Sequence, residues 1–98
     1  MIPIIIINWN GIQDSKECID SLLKSSHQDV EIHLIDNGSD KEEVEELTQL
    51  FDKHPKITLH LNSKNLGFTK AHIKIYKEII SQQDCKYIAL LNNDTVVD

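Results

Sequence analysis

Nothing in this 98-residue chain is long or apolar enough to cross a bilayer. Its densest hydrophobic run, Ile4-Ile5-Ile6-Ile7, is too short for that, and no basic segment precedes it, so a strand is expected there rather than a membrane span or a secretion signal. Basic residues are in deficit: ten Lys and Arg against sixteen Asp and Glu give a net charge of -6. A nucleic-acid backbone needs a broad basic footprint, so no nucleic-acid partner is expected. A nucleotide ligand stays open, because its charge can be met locally by a metal ion or a helix N-terminus. The two cysteines, Cys18 and Cys85, form no close-spaced pair. That argues against a zinc site or a disulfide and for two reduced thiols in a cytoplasmic protein. No Gly-x-Gly-x-x-Gly follows the first apolar run, and there is no Walker A sequence and no serine nucleophile elbow. A dinucleotide-binding Rossmann domain and a P-loop NTPase are thereby set aside. His27, His33, His54, His60 and His72 lack metal-ligand spacing, and no repeat, linker or low-complexity stretch interrupts the chain.

What remains is an alternation of strand and helix in one small domain spanning residues 1–98. Ile2 to Ile7 reads as a strand buried on both faces. Asp14 to Ser25 reads as a helix with Cys18, Ile19, Leu22 and Leu23 inward, and Asp14 with Glu17 resembles a capping box. Val30 to Ile35 is a second strand. Ser39 with Glu42 suggests another capping box, opening a helix from Asp40 to Lys53 with Val44, Leu47, Leu50 and Phe51 inward. Pro55 ends it. Ile57, Leu59 and Leu61 alternate with Thr58 and His60, the pattern of an edge strand with one wet face. Thr69 to about Gln82 is a third helix, with Ile73, Tyr76, Ile79 and Ile80 inward. Tyr87 to Leu91 is a fourth, fully apolar strand. Short connections imply right-handed crossovers and an α/β fold with a parallel sheet. The order 3-2-1-4 places the two apolar strands side by side, with a topological switch point between them.

Ligands bind outside the carboxyl ends of such strands, at the switch point. Three polar clusters fall there: Asn8-Trp9-Asn10, Asp36-Asn37-Gly38 and Asn92-Asn93-Asp94. Asn10-Gly11 and Asn37-Gly38 are also ordinary turn pairs. Trp9, the only tryptophan, either stacks on a flat base or packs on the first helix. Asp36 either accepts hydrogen bonds from a ribose or base, or caps the following helix, and the two roles can coexist. Asn65-Leu66-Gly67-Phe68 precedes the third helix; Gly67 permits close backbone approach or positive φ, or is an ordinary loop residue with Phe68 plugging the core.

Taken in order, Ile4-Ile5-Ile6-Ile7-Asn8-Trp9-Asn10-Gly11, Ile35-Asp36-Asn37-Gly38-Ser39, Asn65-Leu66-Gly67-Phe68 and Leu90-Leu91-Asn92-Asn93-Asp94 resemble the N-terminal half of a family 2 glycosyltransferase with the GT-A fold. The tail Asn92-Asn93-Asp94-Thr95-Val96-Val97-Asp98 is similar to the rhamnosyltransferase-like subgroup, and so to enzymes of cell-wall or polysaccharide biosynthesis. The resemblance implies a nucleotide-diphosphate sugar donor and a glycan or lipid acceptor. It places Asn8, Trp9, Asn10, Asp36, Asn65, Gly67, Asn92, Asn93 and Asp94 around the donor, with Trp9 flanking the base, Asp36 bonding it and Asn92 facing the ribose. Asn92-Asn93-Asp94 falls on the Asp-x-Asp motif, with Asn92 in place of the first acid. Asp94 would hold a divalent metal, Mg2+ or Mn2+, against the diphosphate. The family's catalytic base and acceptor site would lie beyond Asp98, transfer would invert the anomeric centre, and this chain alone would be inactive. The protein would be cytoplasmic or peripheral at the cytoplasmic membrane face.

Three other classes compete. A phosphoacceptor receiver domain wants an acidic pair after the first strand and an aspartate after the third, where this chain has Asn8, Asn10 and Asn62. A nucleotidyltransferase wants a Gly-rich basic loop after the first strand, unlike Asn10-Gly11-Ile12-Gln13-Asp14. A non-catalytic nucleotide-binding domain remains open. A fourth strand apolar on both faces with nothing beyond it would leave an open edge, so self-association through that strand is also expected.

Overall fold

The computed structural model of the chain describes residues 2–24, 30–82 and 88–93, the side chains at 68 and 80–82 excepted. The expectations placed on His27, Cys85, Tyr87, Asp94 and the residues after Asp94, and on the side chains of Phe68 and Ile80, therefore lie outside the described residues. Among the described residues seven elements alternate: β1 (Ile2–Asn8), α1 (Ile12–Lys24), β2 (Val30–Asn37), α2 (Lys41–Phe51), β3 (Ile57–Asn62), α3 (Phe68–Gln82) and β4 (Ala89–Leu91). The strands form one parallel sheet in the expected order β3-β2-β1-β4.

The isoleucine run explains why β1 is central. Successive side chains point to opposite faces. Ile4 and Ile6, with Ile32, Leu34 and Ile57, pack against Cys18, Ile19 and Leu22 of α1 and Leu47 and Phe51 of α2. Ile5, with Ile35, packs against Ile75 and Ile79 of α3. Both faces being covered, an unbroken apolar strand is stable where an alternating one would bury polar groups. Ile5 and Ile6 are wholly buried, and burial of each stabilises by roughly 1.5–3 kcal/mol. α1 and α2 share one face and α3 lies on the other. The third crossover thus returns over β1 to β4, which opens the switch point.

The structure corrects five local expectations. α1 starts at Ile12, not Asp14, and its first helical bond runs from Ser15 N to Gly11 O, so Asp14 sits inside the first turn. α2 is preceded by Asp40 with no side-chain cap, because the hydroxyl of Ser39 donates to Asp36 instead. Leu50 is exposed. α3 is rotated from its expected orientation: Ala71, His72, Ile75 and Ile79 are buried, while Ile73 and Tyr76 are 47% and 48% exposed. Its apolar residues fit more than one stripe, and the sheet selected the stripe that meets Ile5 and Ile35. Among the described residues β4 pairs with β1 alone, and Leu90 is 56% exposed, so β4 is not buried on both faces.

On the α3 side, β2 and β3 bring two histidines together. His33 Nδ1 and His60 Nε2 lie 3.1 Å apart, with ring centroids 5.3 Å apart. That separation is about two ring radii plus the N···N contact, so the rings meet nitrogen to nitrogen rather than face to face. Glu31 lies 3.3 Å from His33 Nε2, and Glu78 lies 3.8 Å from His60 Nδ1. Burial pushes both imidazoles below their ordinary value of 6.5, with Glu31 opposing this at His33. At His60 the neighbouring His33 adds to the lowering and Glu78 opposes it. The folded values lie below the unfolded ones, so the unfolded chain takes up protons first as pH falls through 6.5. This contribution to stability is complete above that value and is lost below it. Melting temperatures are expected to be level above about pH 7 and to fall toward about pH 5. His60→Gln should flatten that slope; a level profile in the unaltered protein would refute the account.

Candidate donor cleft at the strand ends

Two hydrogen-bonded networks stand at the carboxyl ends of the strands, one on each side of β2. The first is centred on Asn8, which is fully buried. Its Nδ2 donates to Asp36 Oδ1 at 3.0 Å and Glu43 Oε2 at 2.9 Å, with Ser39 Oγ at 3.3 Å. Its Oδ1 accepts from the Ser15 hydroxyl at 2.7 Å. Asp36, also fully buried, accepts from the Ser39 hydroxyl and from Ser39 N. Asn10 adopts a left-handed φ of 49°, tolerable for asparagine. Its backbone N–H donates to Ser39 Oγ, and its Oδ1 accepts from Asp40 N. Glu43 Oε1 accepts from Ile12 N, placing a carboxylate at the start of α1, where the helix dipole favours one. This network fastens the β1–α1 turn to the β2–α2 turn.

The second network is centred on Asn37, the next residue of β2, whose side chain takes the opposite side. Its Oδ1 accepts from Leu66 N at 3.0 Å and from Asn62 Nδ2 at 3.2 Å, and its Nδ2 donates to Asn65 Oδ1 at 3.0 Å. Asn65 Oδ1 also accepts from Gly67 N at 2.7 Å. A single buried amide thus shapes the loop from Asn62 to Gly67. Gly38 lets that loop close on β2: its φ is +84°, and a Cβ there would lie 2.5 Å from Asn65 N and from Lys64 C.

Between the networks opens a cleft of about 440 Å³ lined by Ile7, Trp9, Asn37, Asn65, Gly67, Leu91, Asn92 and Asn93. It sits between β1 and β4, at the switch point. Ile7 and Leu91 give it apolar surface, and Trp9 is 54% exposed beside it. The buried Asn37 amide is engaged by Asn62, Asn65 and Leu66, so the hydrogen-bonding capacity turned to the cleft rests with the Asn92 side chain, Asn65 Nδ2 and Asn93 Oδ1. Asn93 is oriented by α1, with Nδ2 3.2 Å from Ser15 Oγ and 3.4 Å from Gly11 O. Among the described residues no charged side chain lines the cleft. Its chemistry suits an uncharged, flat, hydrogen-bonding group.

Of the residues assigned to the donor by sequence, Trp9, Asn65, Gly67, Asn92 and Asn93 line the cleft. Asn8, Asn10 and Asp36 do not. Asn8 and Asp36 are fully buried with their polar atoms engaged by the protein, and Asn10, exposed, uses its backbone N–H and Oδ1 to join the two turns. Asp94 lies outside the described residues. Asn37 and Glu43 are additions: the sequence placed Asn37 on the rim without a role, and nothing near Glu43 in sequence marked it. Among the described residues no three His, Cys, Asp or Glu side chains converge to hold a metal. The described donors lining the cleft are neutral amides and do not by themselves assemble a metal centre.

The family model described as Glycosyl transferase family 2 matches residues 4–98. An uncharacterized glycosyltransferase of Rickettsia felis is 34% identical over 93 residues, covering 95% of this chain and 14% of its own. One from Rickettsia conorii is 36% identical over the same length, with the same coverage. The chain thus spans 14% of the length of these curated relatives. The crystal structure of S. aureus TarS 1-349 superposes with a TM-score of 0.71 at 14% identity, over 97% of this chain and 28% of that one, which is a likeness of fold. With the family match running nearly end to end over a sheet of the expected order, the chain belongs to glycosyl transferase family 2.

Proposed function

We propose that residues 1–98 form the donor-nucleotide half of a glycosyltransferase domain, and that the cleft between β1 and β4 holds the nucleoside of a nucleotide-diphosphate sugar. The observation that carries this is the composition of the cleft: one exposed tryptophan and four amides at a topological switch point. Trp9 offers a face on which a base stacks, and Asn65 Nδ2, the Asn92 side chain and Asn93 Oδ1 offer donors and acceptors to its edge and to the ribose, while Asn37 holds the loop that carries Asn65. In this reading Asp94 holds Mg2+ or Mn2+, which when bound neutralises charge on the leaving diphosphate. Transfer with inversion to a glycan or lipid acceptor, and membership of the rhamnosyltransferase-like subgroup acting in cell-wall or polysaccharide synthesis, belong to the same reading and rest on the motif resemblance. Among the described residues no carboxylate or histidine lines the cleft, so none of them is assigned the deprotonation of an acceptor.

The test is an NMR titration of this chain with UDP and dTDP, with and without Mn2+ replaced by diamagnetic Mg2+. Amide shifts are expected at Trp9, Asn65–Gly67 and Asn92–Asn93, with affinity on the order of millimolar. Trp9→Ala is expected to weaken binding about tenfold, since a stacked base contributes roughly 1–3 kcal/mol. The exposed position makes that substitution tolerable to the fold. Shifts confined to the opposite end of the sheet, or an unchanged affinity in the variant, would remove the cleft from this role.

A further inference from the structure

The outward face of α3 combines features that neither the core nor the cleft uses. Lys70, Ile73, Lys74 and Lys77 recur at helical spacing and are all exposed, with Tyr76 exposed at their flank. The opposite stripe, Ala71, His72, Ile75 and Ile79, is the buried one. Charge is divided by the sheet. α3 carries three lysines against Glu78, whereas α2, on the other face, carries Glu42, Glu43, Glu45 and Glu46 against Lys41. In a chain of net charge -6, this is a local cationic ridge with an isoleucine at its centre. Lys74 Nζ donates to Asn62 Oδ1 at 3.0 Å, while among the described residues neither Lys70 nor Lys77 pairs with a carboxylate.

We propose that this face of α3 is a contact surface for an anionic lipid bilayer. Lysines attract the negative headgroup layer, and their alkyl stems accommodate apolar neighbours while the ammonium groups stay wet. Ile73 and Tyr76 are what separate a bilayer from a soluble polyanion: a hydrated polyanion has no place for an exposed isoleucine, whereas the headgroup boundary takes both side chains. The contact lies along the helix, since among the described residues no helix is long and apolar enough to cross a membrane. The acidic α2 on the other face repels the same surface, so approach through α3 fixes orientation. α3 begins directly after Gly67, so the loop wall of the cleft stands at one end of the docked face. The inference is independent of whether the cleft binds a nucleotide.

Sedimentation of the chain with vesicles of phosphatidylglycerol or of phosphatidylcholine tests it. Binding is expected to the anionic vesicles only, and to weaken as salt is added. Lys70→Glu combined with Lys77→Glu should lower partitioning about tenfold or more. Ile73→Ser should lower it at constant charge. Lys24→Glu combined with Lys53→Glu, equal in charge change but off this face, should leave most of it. All these positions are exposed, and amide spectra verify that each variant is folded. Equal binding to both lipids, or equal losses in both lysine pairs, would overturn the proposal. So would retention on a soluble polyanion such as polyphosphate without vesicle binding, which would give the ridge a different partner.

Discussion

Gly38→Ala is expected to destabilise the protein by about 3 kcal/mol or more, lowering the melting temperature by roughly 12 °C or more. Two costs combine there. The residue has a φ of +84°, disfavoured by any side chain, and the new Cβ would meet backbone atoms of Lys64 and Asn65 at 2.5 Å. Backbone cannot rotate aside as the tip of a side chain can. The loop must move instead, which pulls Asn65 and Leu66 away from Asn37 and widens the cleft. Gly67→Ala is the control. Its φ is +81°, yet nothing lies within 4 Å of the added Cβ, so only the conformational cost of about 1 kcal/mol applies. Urea denaturation of the three proteins measures both values. Equal losses at the two glycines would show that close approach to the loop is not what position 38 requires.

Asn8→Asp is the second large effect, although the two side chains have nearly the same shape. It replaces an amide donating to Asp36 at 3.0 Å and Glu43 at 2.9 Å with a third carboxylate facing both. Two buried attractions become repulsions, and the expected loss at neutral pH is about 3–5 kcal/mol. Burial and like charge raise the folded pKa of the new acid above its unfolded value. The penalty is therefore present above that folded pKa and lifts as pH falls through it, so acidification should restore part of the stability. Asn8→Ala, which leaves the two acids unbridged without adding charge, should cost about 2–4 kcal/mol and regain less in acid. Chemical denaturation at about pH 7 and about pH 5 separates the two variants. An Asn8→Asp protein as stable as its parent at neutral pH would contradict the network as drawn.

These two residues show what was legible in the sequence and what was not. The sheet order could be read because an unbroken Ile4–Ile7 run and an alternating Ile57–Leu61 run place a strand inside or at an edge. The position of the cleft followed from the order, and Trp9, Asn65, Gly67, Asn92 and Asn93 were found through it. The function of Asn8, Asn10 and Asp36 could not be read in the same way. An amide or carboxylate at a strand end serves a ligand or a neighbouring turn equally well. The choice depends on Ser15, Ser39 and Glu43, which the fold brings to Asn8 from seven to thirty-five positions away. The orientation of α3 escaped for a related reason. Ile73, Tyr76, Ile79 and Ile80 make a plausible stripe, and so do Ala71, Ile75 and Ile79 with a buried His72. Only contact with the sheet distinguishes them.

The register of β2 carries a constraint on how this rim can vary. Asp36 and Asn37 are consecutive, pair across the sheet with Asn8 and Asn62 respectively, and send their side chains to opposite faces. One residue organises the buried network, the other the loop beside the cleft, and simple strand alternation keeps them apart. Substitutions can tune either side separately. Removing one residue from within β2 would move each to the other face, delivering a carboxylate to the place where Ile35 packs against Ile75 and Ile79 and an amide to the place where Ser39 and Asn8 require an acceptor. The strand should therefore tolerate changes of side chain at Val30 or Ile32 far more readily than any change of length, and length polymorphism in this region belongs in the connections before Val30 and after Phe51.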